Sequence, residues 1–275
     1  MNKLYLTLIG ISALLILIVV AGSVYFYGLN PSVSPPKKVS VDGGNEMAAR
    51  GEYLVKHVTL CLDCHSDKQH EFFSGPIVKG TEGKGGQLMP GAPGKVYASN
   101  ITRSGLRGWR DEHVIQAITV GVDKEGTPLA PMMPYSEYRY LAKEDAYAIA
   151  YYIRSLKPIR NKVPESEIDI PLNLIFRTLP QDADPQQLPS PNDKVGTGKY
   201  LVRIAGCVFC HTPMEQGAPV PGMTLAGNHE FPLPGMGVVR SANITPDEKT
   251  GIGTWTEEAF VARFRSYADS SGSHI

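Results

Sequence analysis

Every cysteine in the chain lies in one of two copies of the same five-residue pattern, CxxCH. The first copy is CLDCH at 61–65 and the second is CVFCH at 207–211. Four cysteines could form disulfides, redox-active dithiols or part of a zinc site. None of these three alternatives accounts for the histidine that directly follows the second cysteine in both copies. Any fold of this chain must therefore hold two thiols and an imidazole close together at each of the two motifs.

The same spacing is the attachment pattern of c-type haem. Two intervening residues place Cys61 and Cys64 about one helical turn apart, so both sulfurs can meet one porphyrin edge. The imidazole of His65 can then reach the iron as its proximal ligand. The second motif assigns the same roles to Cys207, Cys210 and His211. The sequence therefore predicts two haem c groups, one at each motif.

The two motifs belong to a longer internal repeat. GEYLVKHVTLCLDCH at 51–65 matches GKYLVRIAGCVFCH at 198–211, and ASNIT at 98–102 matches SANIT at 241–245. A tryptophan that opens an acidic, helix-like run follows each of the shorter phrases, as Trp109 and Trp255. Three matching landmarks in the same order indicate one fold used twice.

The N-terminus predicts a transmembrane helix at 1–28. Residues 4–28 contain no charged side chain, and 25 such residues exceed the roughly 20 that cross a bilayer as a helix. Lys3 precedes this stretch and three aromatic residues at 25–27 close it, so the remainder of the chain is expected to be exported. A cleaved signal peptide is the alternative, and it sends the chain across the membrane in the same way.

The rest of the chain divides into four segments. We expect a flexible tether at 29–45, a first domain at 46–157, a proline-rich strap or linker at 158–195 and a second domain at 196–275. In the first domain, a helix beginning near Met47 carries Gly51 at a point where another helix can cross closely. The crossing partner is the amphipathic segment 143–156, with its apolar stripe at Ala146, Ile149, Ala150 and Ile153.

Several phrases carry a resemblance to a known family. They are the two CxxCH motifs, NITPDEKTGIGTW at 243–255 and MMPYSEYRYLAKEDAYAIAYYIRSLKP at 132–158. With them the chain resembles the membrane-anchored, multi-domain cytochromes c that include the cytochrome subunits of bacterial periplasmic dehydrogenases. The resemblance implies an all-α fold, with the transmembrane helix followed by two tandem cytochrome c-like domains. It also implies one haem per domain and a role in electron transfer.

The resemblance places a distal methionine just ahead of the last helix of a domain. In the first repeat this is Met133, with Met132 and then Met89 as alternatives. In the second repeat, the interval from Trp109 to Met133, applied to Trp255, reaches past residue 275. We therefore expect the second domain to lack its C-terminal helix, which would leave large apolar side chains uncovered at Tyr200, Leu201 and Ile204. Its distal position would belong to His274, His229, Met236, Met223, a partner or nothing.

The predicted function is the relay of single electrons at the outer face of the cytoplasmic membrane. Such a chain is an electron carrier, or an electron-transfer subunit of a larger oxidoreductase, and not an enzyme in its own right. Its expected partners are the membrane and redox proteins such as a periplasmic dehydrogenase, a quinol-oxidising complex or a terminal oxidase. Lysine plus arginine equal aspartate plus glutamate at 27 each, which gives no indication of nucleic-acid binding.

Two alternatives remain open at this point. An open or unusually ligated second iron would make the chain a haem enzyme, such as a peroxidase or a small-molecule oxidoreductase. A haem-based sensor or tether that reports redox state without carrying electron flux is the other.

Overall fold

The computed structural model describes residues 3–71, 75–89, 92–215, 218–233 and 237–266. The chain forms two compact units, one comprising Met1–Gln69 and Ile77–Leu188 and the other His70–Pro76 and Pro189–Ile275. The fold is mostly helical, as predicted from the sequence. The all-α prediction needs one correction, because the described residues also form three short antiparallel strand pairs.

The described residues of the first unit form seven α-helices and one strand pair. The helices are α1 (Lys3–Ser23), continued by a π-helical turn (Val24–Gly28), α2 (Asn45–Tyr53), continued by a second π-helical turn (Leu54–Val58), α3 (Cys61–His65), α4 (Asp111–Thr119), α5 (Tyr135–Tyr138), α6 (Lys143–Ser155) and α7 (Leu172–Phe176). The strands are β1 (Gly94–Lys95) and β2 (Glu167–Ile168), with Gly94 opposite Ile168.

The second unit is smaller, and the part of it that the structure describes forms three helices and two hairpins. The helices are α8 (Lys194–Ile204), α9 (Cys207–His211) and α10 (Glu257–Ser266). The hairpins pair β3 (Met214–Glu215) with β4 (Ala218–Pro219), and β5 (Glu230–Leu233) with β6 (Gly237–Arg240). Of the three side chains expected to lack cover, Tyr200 and Ile204 are 7% and 0% exposed and Leu201 is half-buried, so that expectation is wrong. Helix α8 packs against the motif helix α9.

The N-terminal helix is apolar along its whole length. Its 26 residues from Lys3 to Gly28 include the π-helical turn and are long and apolar enough to cross a membrane. No residue of α1 is buried against the described part of the protein. A helix of this kind serves as a membrane anchor or as a signal sequence.

The core of the first unit forms where α2 crosses α6, as the sequence predicts. The apolar stripe of α6 is buried throughout, with Ala146, Ile149, Ala150 and Ile153 between 0% and 4% exposed. Beside the crossing, Asp145 is 1% exposed and receives two hydrogen bonds from the Arg50 guanidinium, at 2.8 and 2.7 Å. A buried carboxylate needs such a partner, since an unpaired charge in this position would be strongly destabilising.

The segment 29–45 is attached to the first unit by hydrogen bonds. Ser34 donates from its backbone N–H and its hydroxyl to the Asp182 carboxylate, both at 2.7 Å. Val41 donates its backbone N–H to Asp111 at 2.9 Å. The structure therefore differs from a free tether, because carboxylates of the folded unit accept bonds from this backbone.

Replacing Gly51 with alanine is expected to destabilise the first unit. A Cβ atom at this position would lie 2.1 Å from the carbonyl oxygen of Ala148, so α2 and α6 would have to separate. Overpacking of this kind costs about 1–3 kcal/mol of the free energy of unfolding. Thermal unfolding followed by circular dichroism should show a lower Tm for the transition of this unit.

Gly198 provides a matched control, since it occupies the same position in the second repeat. No described atom lies within 4 Å of a Cβ built on Gly198. Gly198→Ala should therefore be neutral or stabilise α8 by up to about 1 kcal/mol, the difference in helix propensity between glycine and alanine. Equal destabilisation by the two substitutions would contradict the close crossing at Gly51.

Candidate haem sites

Each CxxCH motif folds as a single helical turn. Helix α3 follows Leu60, whose φ of 50° lies in the left-handed region, and α9 follows Gly206 with a φ of 68°. The turn places the two cysteines of each motif three positions apart, on the same face of the helix. Leu62 is 1% exposed and anchors α3 in the core, while Cys61 and Cys64 are partly exposed as whole residues.

The histidine of each motif is oriented by a main-chain oxygen from a distant segment. His65 donates from Nδ1 to the carbonyl oxygen of Ser99 at 2.6 Å, and His211 donates from Nδ1 to the carbonyl oxygen of Ala242 at 2.8 Å. A carbonyl oxygen can only accept, so the proton of each neutral imidazole lies on Nδ1. The Nε2 lone pair is then free, which is the form of histidine that binds a metal.

The repeated Asn-Ile-Thr phrase holds these acceptor carbonyls in place. Asn100 Oδ1 accepts from the backbone N–H of Thr102 at 3.0 Å and from its hydroxyl at 2.7 Å. Asn243 Oδ1 accepts the same two bonds from Thr245, at 2.8 and 2.7 Å. Each asparagine directly follows the residue whose carbonyl accepts from the histidine. The local turn fixes that carbonyl and leaves it available to the imidazole.

Two glycines support the same arrangement, and no motif in the sequence identifies them. Gly85 has a φ of 69° and donates its N–H to the carbonyl of His65 at 2.8 Å. A Cβ on Gly85 would lie 2.4 Å from the Ser99 carbonyl. Gly227 repeats this with a φ of 76° and a Cβ that would lie 2.5 Å from the Ala242 carbonyl carbon. Only glycine combines this conformation with such a close approach.

A cavity of about 480 Å³ lies beside the first motif. Cys61, His65 and Met133 line it together, so a thiol, an imidazole and a thioether face one space. Of the three candidate methionines, all within the described residues, Met133 alone lines this cavity. Trp109 also lines it, and the strap contributes one wall through residues 163–166.

Burial sets the protonation states at these sites. Burial raises the pKa of the Cys61 thiol to about 11, and it raises the pKa of Cys64, Cys207 and Cys210 as well. Burial lowers the pKa of His65, outweighing the hydrogen bond to Ser99 that raises it. The thiols are therefore protonated and the His65 imidazole is neutral at neutral pH. Neutral groups can be buried next to a porphyrin without an unpaired charge.

These features fit a c-type haem at the first motif. The thiols lie one helical turn apart, the imidazole has a free Nε2, and a thioether lines the same cavity. The zinc alternative would require a cluster of cysteine, histidine or carboxylate ligands. Among the described residues, no group of three or more such side chains is placed to hold a metal ion.

The distal position at the second motif has fewer described candidates. Met223 donates its backbone N–H to the carbonyl oxygen of Val220 at 3.1 Å and is 43% exposed. His229 donates its backbone N–H to the Ser241 hydroxyl, and its ring packs on Phe231 with centroids 4.7 Å apart. Met236 and His274 lie outside the described residues.

Comparison with known proteins finds relatives that are named as cytochrome subunits of bacterial dehydrogenases. No protein-family model matches the chain. The gluconate 2-dehydrogenase cytochrome c subunit of Pantoea cypripedii is 29% identical over 230 residues, covering 77% of this chain and 49% of that protein. The fructose dehydrogenase cytochrome subunit of Gluconobacter japonicus is 27% identical, covering 84% and 47%. The alcohol dehydrogenase (quinone) cytochrome c subunit of Gluconobacter oxydans is 27% identical, covering 82% and 48%.

These similarities confirm the resemblance to cytochrome c subunits of bacterial dehydrogenases. They support haem c as the cofactor and electron transfer as the kind of function. The chain spans about half the length of the curated relatives it matches.

Proposed function

We propose that the chain is an electron-transfer subunit of a dehydrogenase complex and holds two c-type haems, one in each compact unit. The observation that carries the proposal is the pair of motif histidines, each donating from Nδ1 to a main-chain carbonyl and keeping Nε2 free. The similarity to cytochrome c subunits supports the same conclusion. The two haem domains are those at 46–157 and 196–275, with the strap at 158–195 between them.

Each proposed site residue has a defined task. Cys61 and Cys64 form the two thioether bonds of the first haem, and His65 and Met133 are its proximal and distal ligands. In the second unit the thioether anchors and the proximal ligand are Cys207, Cys210 and His211. A distal thioether, compared with a second nitrogen donor, favours a higher reduction potential.

The side chains around the first cavity suit a haem that relays electrons. Haem iron supplies the exchange of one electron when it is bound. The side chains of Val114, Ile118, Leu129 and Ile149 line the cavity and make part of its wall apolar. If His65 and Met133 both bind the iron, no coordination position would be left for a substrate, and this unit would relay electrons without converting a substrate itself.

The proposed location is the outer face of the cytoplasmic membrane, with α1 retained as an anchor. Lys3 precedes the apolar helix, and Tyr25, Phe26 and Tyr27 end it, the arrangement expected of a helix whose N-terminus stays inside. A dehydrogenase at this surface is the proposed electron donor, since the relatives are named as subunits of such enzymes. A quinol-oxidising complex or a terminal oxidase is the expected partner at the other end of the relay.

Haem content and redox titration of the purified protein test this function. The full chain, produced in a host competent for cytochrome c maturation, should contain two covalently bound haems and accept two electrons in single-electron steps. Carbon monoxide should not bind at the first unit, where Met133 occupies the distal position. A colourless protein with free thiols would refute the proposal, and rapid peroxide turnover would favour a haem enzyme instead.

A further inference from the structure

The strap carries apolar side chains that the protein leaves exposed. Within residues 169–179, which include α7, Ile170 is 79% exposed, Ile175 44%, Leu179 39% and Leu172 37%. Four large apolar side chains so close together are unusual on a soluble surface and mark an interaction site.

Arg177 ties this segment to the end of the membrane-crossing helix. Its Nε donates to the carbonyl of Phe26 at 2.7 Å and its Nη2 donates to the carbonyl of Asn30 at 3.4 Å. The guanidinium also lies over the Tyr27 ring, 4.8 Å from the centroid. Arg177 directly follows α7, so the exposed side chains lie within a few residues of this attachment.

A second attachment follows five residues later. The Asp182 carboxylate accepts the two hydrogen bonds from Ser34 described above. Residues 177–182 are thus bonded to 26–34, the part of the chain that leaves the helix. Both segments belong to the same compact unit.

The length of the helix sets the depth of this contact. Twenty-six helical residues span about 39 Å, which exceeds the roughly 30 Å of the hydrocarbon core. The final turn, with Tyr25, Phe26 and Tyr27, then lies at the level of the lipid headgroups, where aromatic side chains are enriched. An arginine bonded to that turn lies at the same level, and so do the apolar side chains beside it.

We propose that residues 169–179 insert their apolar side chains into the boundary between lipid headgroups and acyl chains. This contact, which rests on the proposed retention of α1 as an anchor, holds the first unit against the bilayer at a second point. The segment 169–182 carries one basic residue, Arg177, and two acidic ones, Asp169 and Asp182. Apolar burial therefore drives the contact, and it does not require anionic lipid.

Photolabelling in lipid nanodiscs tests the proposal. The full-length haem protein is reconstituted in phosphatidylcholine with a small fraction of a lipid whose diazirine lies near the glycerol end of the acyl chain. Peptide mass spectrometry after illumination should find label in 169–179 as well as in 25–29. Replacing part of the phosphatidylcholine with phosphatidylglycerol should leave the labelling of both segments unchanged.

Two paired substitutions provide the control. Ile170→Asn with Ile175→Asn should reduce labelling of the strap several-fold and leave labelling of 25–29 unchanged. Val238→Asn with Val239→Asn, at side chains 49% and 52% exposed in the second unit, should change neither region. The absorption spectrum of the bound haem verifies that each variant is folded.

The possible outcomes separate this proposal from the membrane anchor. Label in 25–29 without label in 169–179 refutes the strap contact and leaves the anchor intact, with the strap then free for a protein partner. Strong labelling at 238–239 in the parent protein also refutes it, because the probe would then report exposure alone. Absence of label in both 25–29 and 169–179 refutes the anchor together with the strap contact.

Discussion

Replacement of both Cys61 and Cys64 with alanine should halve the haem bound covalently to the chain. The two thiols lie one helical turn apart, Cys61 lines the cavity, and each thioether bond requires one of the two thiols. The pyridine haemochrome absorbance per chain, compared with that of the parent protein, measures the loss. Without its haem the cavity of about 480 Å³ loses its contents, so the first unit should also unfold at a lower temperature.

The matching substitution in the second unit is the control. Cys207→Ala with Cys210→Ala should also halve the covalent haem, and all four substitutions together should remove it. The remaining haem of each double variant then provides the spectrum of one unit alone. Full haem content after either double substitution would contradict the assignment of that motif, and complete loss after one of them would show that the units mature together.

Replacement of Met133 with alanine should open the distal position of the first haem. The ferrous protein should then bind carbon monoxide at one haem per chain, and the charge-transfer absorption typical of a methionine ligand should decrease. Met133→His should keep the position filled and lower the reduction potential, because a nitrogen donor replaces the thioether. The decrease should be a sizeable part of the roughly 0.8 V that axial ligation covers.

The neighbouring methionine is the matched control for this prediction. Met132 lies one residue earlier in the chain and does not line the described cavity. Met132→Ala should therefore leave both the carbon monoxide binding and the potentials of the protein unchanged. Carbon monoxide binding by the Met132 variant and not by the Met133 variant would transfer the ligand assignment to Met132.

Local patterns in the sequence predict the parts of this structure that depend on local geometry. The CxxCH spacing indicates a helical turn, and the stripe at 146–153 indicates an amphipathic helix. Gly51 indicates a close crossing because a side chain there would exclude a second helix. In each case the residue type indicates the local conformation or packing of its own segment.

Sequence patterns do not reveal the site residues that contribute main-chain atoms, or those whose distance from the motif differs between the two repeats. Gly85 follows its motif histidine by 20 residues and Gly227 follows its own by 16, so the two do not align by position. The acceptors at Ser99 and Ala242 are backbone atoms and leave no side-chain pattern. The bonds of Ser34 and Arg177 join segments that are distant in sequence, which periodicity cannot detect.

Because the acceptors at the two histidines are main-chain atoms, mutation of the acceptor residue's side chain does not remove them. Every amino acid has a carbonyl oxygen, and the chain already shows serine at one of these positions and alanine at the other with the same bond to imidazole. Point mutation of either side chain therefore leaves the acceptor in place. The neighbouring surface is free to diversify toward new docking partners while the orientation of the metal ligand is inherited unchanged.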